Sequence, residues 1–260
     1  MRLKCAVIQM DIAFGQPESN MAMVERKIAD AATNNPDVIV LPELWTTGYD
    51  LPRLDEIADS DAATVKAFMA KLARQYGVHI IAGSVAERNA AGTWNTLLAF
   101  NSHGEQVGEY RKVHLFRLMD EEKYLQPGER MGSFELAGIP CAGVICYDIR
   151  FPEWIRKHVV AGAHVLFVVA EWPMPRLSHW RNLLITRAIE NQCYVVACNR
   201  VGSDPNNTFA GHSLIVDPWG EIVVEAGADE QTLFAEIDLD QVTHIRKQIP
   251  IFTDRRPDLY

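Results

Sequence analysis

Residues 143–154 read GVICYDIRFPEW. Small and apolar residues carry a cysteine to the end of the run, and the composition then turns at once to Tyr147, Asp148 and Arg150 before a Pro-Glu pair. The run predicts a buried strand that stops at Cys146. Pro152 and Glu153 predict the first turn of a helix, where proline loses no hydrogen bond and an acidic side chain meets the positive end of the dipole. A strand feeding a helix in this way is a unit of an α/β layered fold.

The same alternation continues on both sides. Downstream, HVLFVVA (164–170) leads into a helical pattern with Leu177, Trp180, Leu184 and Ala188 aligned, followed by YVVACN, SLIVDP, EIVVEA and TLFAEID. Upstream, CAVIQM (5–10) precedes a helical face of Val24, Ile28, Ala31 and Ala32, and DVIVL (37–41) follows a stop at Pro36. Val65, Phe68, Met69, Leu72 and Tyr76 then recur at helical spacing before VHIIAGSV (78–85). WNTLLAF and EQVGEY, joined through Asn101-Ser102-His103-Gly104, read as a hairpin, and Asp217-Pro218-Trp219-Gly220 as another turn. Helices interleave with strands while hairpins interrupt them, which predicts an α/β domain with mixed sheets. No linker or repeat divides the chain, so one domain over residues 1–260 is expected.

Composition narrows the function. The chain has 260 residues, 48% of them apolar, enough for a large core, and its net charge of −9 comes without a basic tract. Nucleic acid is excluded as an expected partner, because neutralising phosphate drives that binding. No apolar run reaches the ~18 residues of a membrane span, and the opening MRLKCAVIQMDIAFG reads as a strand rather than a signal peptide. The five cysteines are odd in number and sit mostly in apolar runs, which suits reduced thiols in the cytoplasm. Neither they nor the scattered histidines show the spacing of metal ligands, so no metal is expected.

Three chemically capable residues stand just past apolar strands: Glu43 after DVIVLP, Lys112 after EYR and Cys146 after AGVI. Ligands of α/β sheets gather outside the carboxyl ends of strands. Each residue also has a plain reading: a surface carboxylate, a solvated turn lysine and a buried structural thiol. Together they point to covalent chemistry. A thiol near a helix start and a lysine is expected to have a lowered pKa, Glu43 among Leu41, Leu44 and Trp45 to shuttle protons, and Lys112 to stabilise an oxyanion.

The segments LPELW, YRKVHLF and GVICYDIRFPE resemble, in order, the three signature blocks of the carbon–nitrogen hydrolase family, or nitrilase superfamily, and the similarity covers nearly the whole chain. The resemblance implies a four-layer α-β-β-α sandwich and subunits that pair as a homodimer or a higher oligomer; no cofactor is expected, because the named side chains can carry each step. The tail, about residues 240–260, is a candidate to pack on a partner subunit. It further implies Cys146 as nucleophile, Glu43 as general base, Lys112 as oxyanion stabiliser and the Tyr147 backbone N–H as a second oxyanion donor. A second glutamate before Pro127-Gly128 would be Glu121, with Glu122 beside it as a rival and a solvated loop as the plain reading.

The stretch 170–202, AEWPMPRLSHWRNLLITRAIENQCYVVACNRVG, resembles the branch of ω-amidases that act on monoamides of 2-oxo-dicarboxylates such as 2-oxoglutaramate. A substrate carboxylate calls for a guanidinium. Arg176 is the candidate, with Arg150 as a rival that would otherwise brace the turn through Asp148. Trp172 and His179 are further pocket candidates, and Trp180 reads as packing. The expected activity is hydrolysis of a short carboxamide through a thioester. Nitriles, N-carbamoyl amino acids and plain aliphatic amides are alternatives for the same residues. An inactive scaffold of the same fold and a redox sensor are alternatives of other classes.

Overall fold

The computed structural model describes residues 1–259. Its first sheet holds β1 (Arg2–Gln9), β2 (Val38–Val40), β3 (Asp59–Ser60), β4 (His79–Asn89), β5 (Gly92–Phe100) and β6 (Gln106–Arg111). The second holds β7 (Ser133–Leu136), β8 (Ile139–Ile145), β9 (Val165–Ala170), β10 (Tyr194–Asn199), β11 (Leu214–Val216) and β12 (Ile222–Glu225). The last strand, β13 (Gln231–Asp238), returns to the first sheet and runs antiparallel to β1 over the full length of both, joining the two ends of the chain.

The parallel cores of the sheets are β1-β2-β4 and β8-β9-β10. Antiparallel strands flank each, so the sheets are mixed as the sequence suggests. The hairpin through residues 101–104 is present as β5–β6. A further one, β7–β8, turns on Ala137 and Gly138, both with positive φ (51° and 78°), the geometry of a primed two-residue turn. Only its glycine announces that turn in the sequence.

Residue alternation explains the layers. Cys5 and Val7 of β1, with Val38 and Val40 of β2, face the second sheet, whereas Ala6, Ile8 and Ile39 face outward. Against that outer face lie α1 (Pro17–Ala32) and, after the short α2 (Leu54–Ile57), α3 (Ala63–Tyr76), through Val24, Ile28, Val65, Met69 and Leu72. Between the sheets, Val7, Ile81 and Leu97 pack with Phe167, Val169 and Val196. Past the one-turn α4 (Glu121–Tyr124), α5 (Pro152–Val160) and α6 (Leu177–Asn191) cover the far side of the second sheet with Ile155, Val159, Trp180, Leu184 and Ala188. The order is α-β-β-α.

The C-terminal segment begins on its own chain. In α7 (Asp240–Gln248), Val242 and Ile245 are buried, and Arg246 donates to Ala163 O at 2.8 Å. Gln192 Nε2 reaches Ile249 O at 2.8 Å just before α8 (Ile251–Asp254). The last residue of the tail, Tyr260, lies outside the described residues.

Candidate active site

β2 ends at Val40, and Glu43 follows in a tight loop that β4 shapes. β4 bulges between Ile81 and Ser84. At the bulge Gly83 has φ +59°, and a Cβ there would stand 2.0 Å from Pro42 O, so only glycine lets the two backbones approach this closely. Ser84 then receives Leu44 N on its Oγ at 2.9 Å and Trp45 N on its carbonyl at 3.2 Å. Trp45, fully buried, donates its indole N–H to Ala82 O at 2.7 Å. Glu43 is thereby aimed into the interior, with none of its surface exposed.

Lys112 stands past β6, whose direction matches β2 and β4, so both residues reach the same end of the first sheet. Its Nζ donates to Glu43 Oε1 at 2.8 Å and to Glu121 Oε1 at 2.6 Å. All three side chains are fully buried. Tyr49 donates its hydroxyl to Glu121 at 2.6 Å, Asn95 Nδ2 donates to Glu43 at 2.8 Å, and Phe116 N caps Glu121 Oε2 at 2.7 Å. Burial raises the Glu121 carboxyl above its ordinary value, with Lys112 opposing the shift. Burial works against the Lys112 ammonium, yet Glu121 and Glu43 outweigh it and hold its pKa well above the usual range. Glu122, the rival in sequence, is exposed. Lys112 is thus one cationic side chain shared by two acidic ones.

Cys146 ends β8 at a backbone angle of φ +45°, uncommon for a residue with a side chain, and opens a 3₁₀ turn over Cys146–Arg150. Asp148, fully buried, fastens this elbow. Its Oδ2 accepts Ile145 N at 3.0 Å and the Tyr110 hydroxyl at 2.7 Å, and its Oδ1 accepts His114 N at 3.1 Å. His114 Nδ1 lies 2.8 Å from the same Oδ1. The α5 start at Pro152 follows as expected from the sequence. The thiol does not follow expectation. Burial, then the Glu43 carboxylate, push the Cys146 pKa well above that of an ordinary thiol, and Lys112 only partly offsets them. Burial thus favours the neutral thiol, and Lys112 is shared between Glu43 and Glu121 rather than given to the sulfur.

Cys146 opens onto a small cavity whose wall includes Tyr147, Arg150, Glu171, Trp172 and Arg176. Arg150 does not brace the turn through Asp148: its guanidinium stacks 4.6 Å from the Trp172 ring centroid and faces the cavity. Arg176 lies over Phe116 at 5.2 Å on another wall. Trp172 is buried and tied down through Nε1 to Arg176 O at 2.7 Å. His179 stands outside the cavity, exposed, with Nδ1 3.4 Å from the Arg150 guanidinium. Trp180 is buried packing, its indole N–H on His212 O at 2.8 Å.

Four residues of this region are not singled out by sequence reasoning. Tyr49 and Asn95 complete the charge cluster. Glu171, fully buried, donates its backbone N–H to Glu43 Oε2 at 2.8 Å, and its own Oε2 receives Arg200 Nη1 at 2.8 Å. Burial raises the Glu171 carboxyl to about 8, with Arg200 opposing the shift and Glu43 adding to it. The signal for both Glu171 and Arg200 was available: each stands just past an apolar strand, as Glu43 and Cys146 do. Asn95 announces itself only as a lone amide within an apolar strand.

Known proteins resemble the chain over its full length. The sequence profile described as carbon–nitrogen hydrolase matches residues 4–247. The 2-oxoglutaramate amidase of Bacillus subtilis (strain 168) is 53% identical, covering 100% of both chains. Omega-amidase YafV of Escherichia coli (strain B / BL21-DE3) is 36% identical over 97% of this chain and 96% of its own. The crystal structure of a CN-hydrolase superfamily protein from Xanthomonas campestris, with an arsenic adduct in its active site, superposes with a TM-score of 0.92 at 30% identity, covering 98% of each chain.

Proposed function

This chain belongs to the carbon–nitrogen hydrolase family, and from that premise we propose that Cys146, Glu43, Lys112 and Glu121 hydrolyse the ω-amide of a 2-oxo-dicarboxylic acid such as 2-oxoglutaramate. The chain is an amidase, and its relatives named for 2-oxoglutaramate and for ω-amides support that substrate class. The observation that carries the reading is the buried Lys112 shared by Glu43 and Glu121 beside a cavity that exposes a strained thiol to two arginines.

In the proposed reaction the Cys146 sulfur attacks the carboxamide carbon while Glu43 takes the thiol proton. The raised thiol pKa favours this concerted transfer over a preformed thiolate. Lys112 Nζ and the Tyr147 N–H, which lies too near the start of its 3₁₀ turn to have an intrahelical acceptor, stabilise the oxyanion. Glu43 returns the proton to the departing nitrogen, the C–N bond breaks, and ammonia leaves a thioester. Water, deprotonated by Glu43, attacks that thioester, and the carboxylic acid and the thiol are regenerated. Glu121 positions Lys112. Arg150 and Arg176 bind the substrate carboxylate against the Trp172 wall; His179 supports Arg150 from outside.

The test is ammonia release from 2-oxoglutaramate, succinamate, glutamine, propionamide, an N-carbamoyl amino acid and a nitrile. The 2-oxo amide is expected to have the highest kcat/KM. Arg150→Leu and Arg176→Leu are each expected to raise its KM about 10-fold or more, the worth of a charge-assisted hydrogen bond, with little effect on propionamide. Preference for propionamide in the wild type would overturn the substrate class and leave the amidase reading in place.

We also propose a homodimer or higher homo-oligomer in the cytoplasm. Exposed Val160, Ile189, Trp219 and Ile249 surround a hollow of about 840 Å³ beside α5 and α6, an apolar face suited to a second subunit and continuous with the C-terminal segment. Ile189→Asp is expected to shift the mass in analytical ultracentrifugation to that of one chain; an unchanged oligomer would exclude this face. Five cysteines that are all buried and unpaired support a reducing compartment, which cell fractionation would check.

A further inference from the structure

The reaction proposed above assigns a partner to the substrate's carboxylate, its carbonyl oxygen and its reacting carbon. It assigns none to the hydrogens of the carboxamide nitrogen. A hydrolase that must take amides and release acids needs a group that tells NH₂ from oxygen, and a buried acceptor does this well because the wrong partner leaves it unpaired.

One carboxyl group on the cavity wall fits. Glu171 Oε2 is taken by Arg200, but Glu171 Oε1 is buried and has no hydrogen-bond partner. The residue lines the same cavity as Cys146 and is tied through its backbone N–H to Glu43 Oε2. Arg200 is itself buried and held: Nη2 donates to Asp11 Oδ1 at 2.8 Å and to Ile12 O at 3.0 Å, and the guanidinium stacks 4.1 Å from the Phe209 centroid. The carboxyl group therefore has a fixed orientation, one oxygen on Arg200 and the other unsatisfied. Arg150 and Arg176, which suit the substrate's own carboxylate, also line the cavity, and Glu171 is the acidic side chain on its wall.

We propose that Glu171 reads the carboxamide: its Oε1 accepts an N–H from the scissile NH₂ group, orients the substrate with its carboxylate toward Arg150 and Arg176, and disfavours the dicarboxylate product, whose new carboxylate would face an anion. This rests on the amidase reading and adds a specificity residue to it. No bond forms or breaks at Glu171. The hydrogen bond turns the amide plane so that the carbonyl oxygen meets Lys112 and the Tyr147 N–H while the nitrogen faces Glu43.

The experiment compares each enzyme on an amide and on the methyl ester of the same acid, which acylates the same cysteine but offers no N–H. The pair used is the amide that wild type hydrolyses fastest in the panel above, with its ester. Assays run at a pH above about 8, where the Glu171 carboxylate predominates. In Glu171→Gln the side-chain oxygen turns to Arg200, a donor, and the NH₂ faces the cleft, donor against donor. The amide kcat/KM is expected to fall about 10- to 100-fold with the ester within about 3-fold, and inhibition by the dicarboxylate product to strengthen. Should the Gln variant not fold, Glu171→Asp keeps the charge on Arg200 and withdraws the free oxygen by one methylene, and the same split is expected. Equal losses on amide and ester would overturn the proposal in favour of a purely structural acid, and so would no loss on either. A wild type inactive on every amide would overturn the amidase reading and this inference with it, whereas a different preferred amide would alter the substrate class alone.

Discussion

Cys146→Ala is expected to lower amide hydrolysis by about four orders of magnitude or more while the protein folds normally. The size follows from the chemistry: without the sulfur no thioester forms, and the remaining groups can only polarise an amide toward water. Normal folding follows from the site. Cys146 is 5% exposed on the cavity wall, so truncation removes only its sulfur, and alanine meets the same φ of +45° as cysteine. Intact-mass spectrometry of acid-quenched turnover should show an acylated wild type and an unmodified variant. Alkylation supplies a second check. Burial and Glu43 hold the thiol pKa well above its ordinary value, so labelling by neutral iodoacetamide should keep rising beyond about pH 8.5, the midpoint of an unperturbed cysteine. Activity surviving in the Ala variant at more than about one-hundredth of wild type would remove Cys146 from the nucleophile's role.

Lys112→Met is expected to damage both activity and stability. The ammonium holds Glu43 at 2.8 Å and Glu121 at 2.6 Å where no solvent reaches any of the three. Removing one partner of a buried ion pair costs about 3–5 kcal/mol, because the charge left behind keeps its desolvation penalty. The oxyanion also loses a charged donor, so kcat should drop about 10³-fold or more. The pH dependence carries a definite sign. Burial already raises Glu121, and without the opposing Lys112 its folded-state pKa rises further above the unfolded value. In that window the folded state binds more protons than the unfolded state, so the variant loses stability as pH rises and regains it as pH falls. Urea unfolding at about pH 5.5 and about pH 8 should show the gap from wild type narrowing at the lower pH. A gap of the same size at both would mean that the three groups do not share charge as the geometry indicates.

The catalytic candidates were accessible because strand ends are visible in one dimension. Glu43, Lys112 and Cys146 each follow a run of apolar residues, and within each sheet the strands of one direction end at one edge whatever their side chains are. Glu171 and Arg200 follow the same rule but do not stand out, because each is embedded in a longer segment that reads equally well as pocket wall. Asp148 shows the opposite limit. Its sequence neighbour Arg150 looks like its partner, yet the tight turn sends the two side chains apart. Asp148 instead meets Tyr110 and His114, which come from and just after the other sheet.

The sequence by itself determined the layered α/β architecture, the strand ends and the three residues that stand on them, because apolar periodicity and turn chemistry are local properties. Only the tertiary structure buried Glu121 against Lys112 and left Glu122 exposed, turned Arg150 into the cleft, moved His179 out of it and reversed the expected shift of the thiol. Those outcomes depend on burial and on charges brought together from distant segments. Lys112 stands beside Glu43 and Glu121 although 69 residues separate it from the former. An electrostatic balance of that kind exists only once the chain has folded, because water screens the same charges while they remain apart.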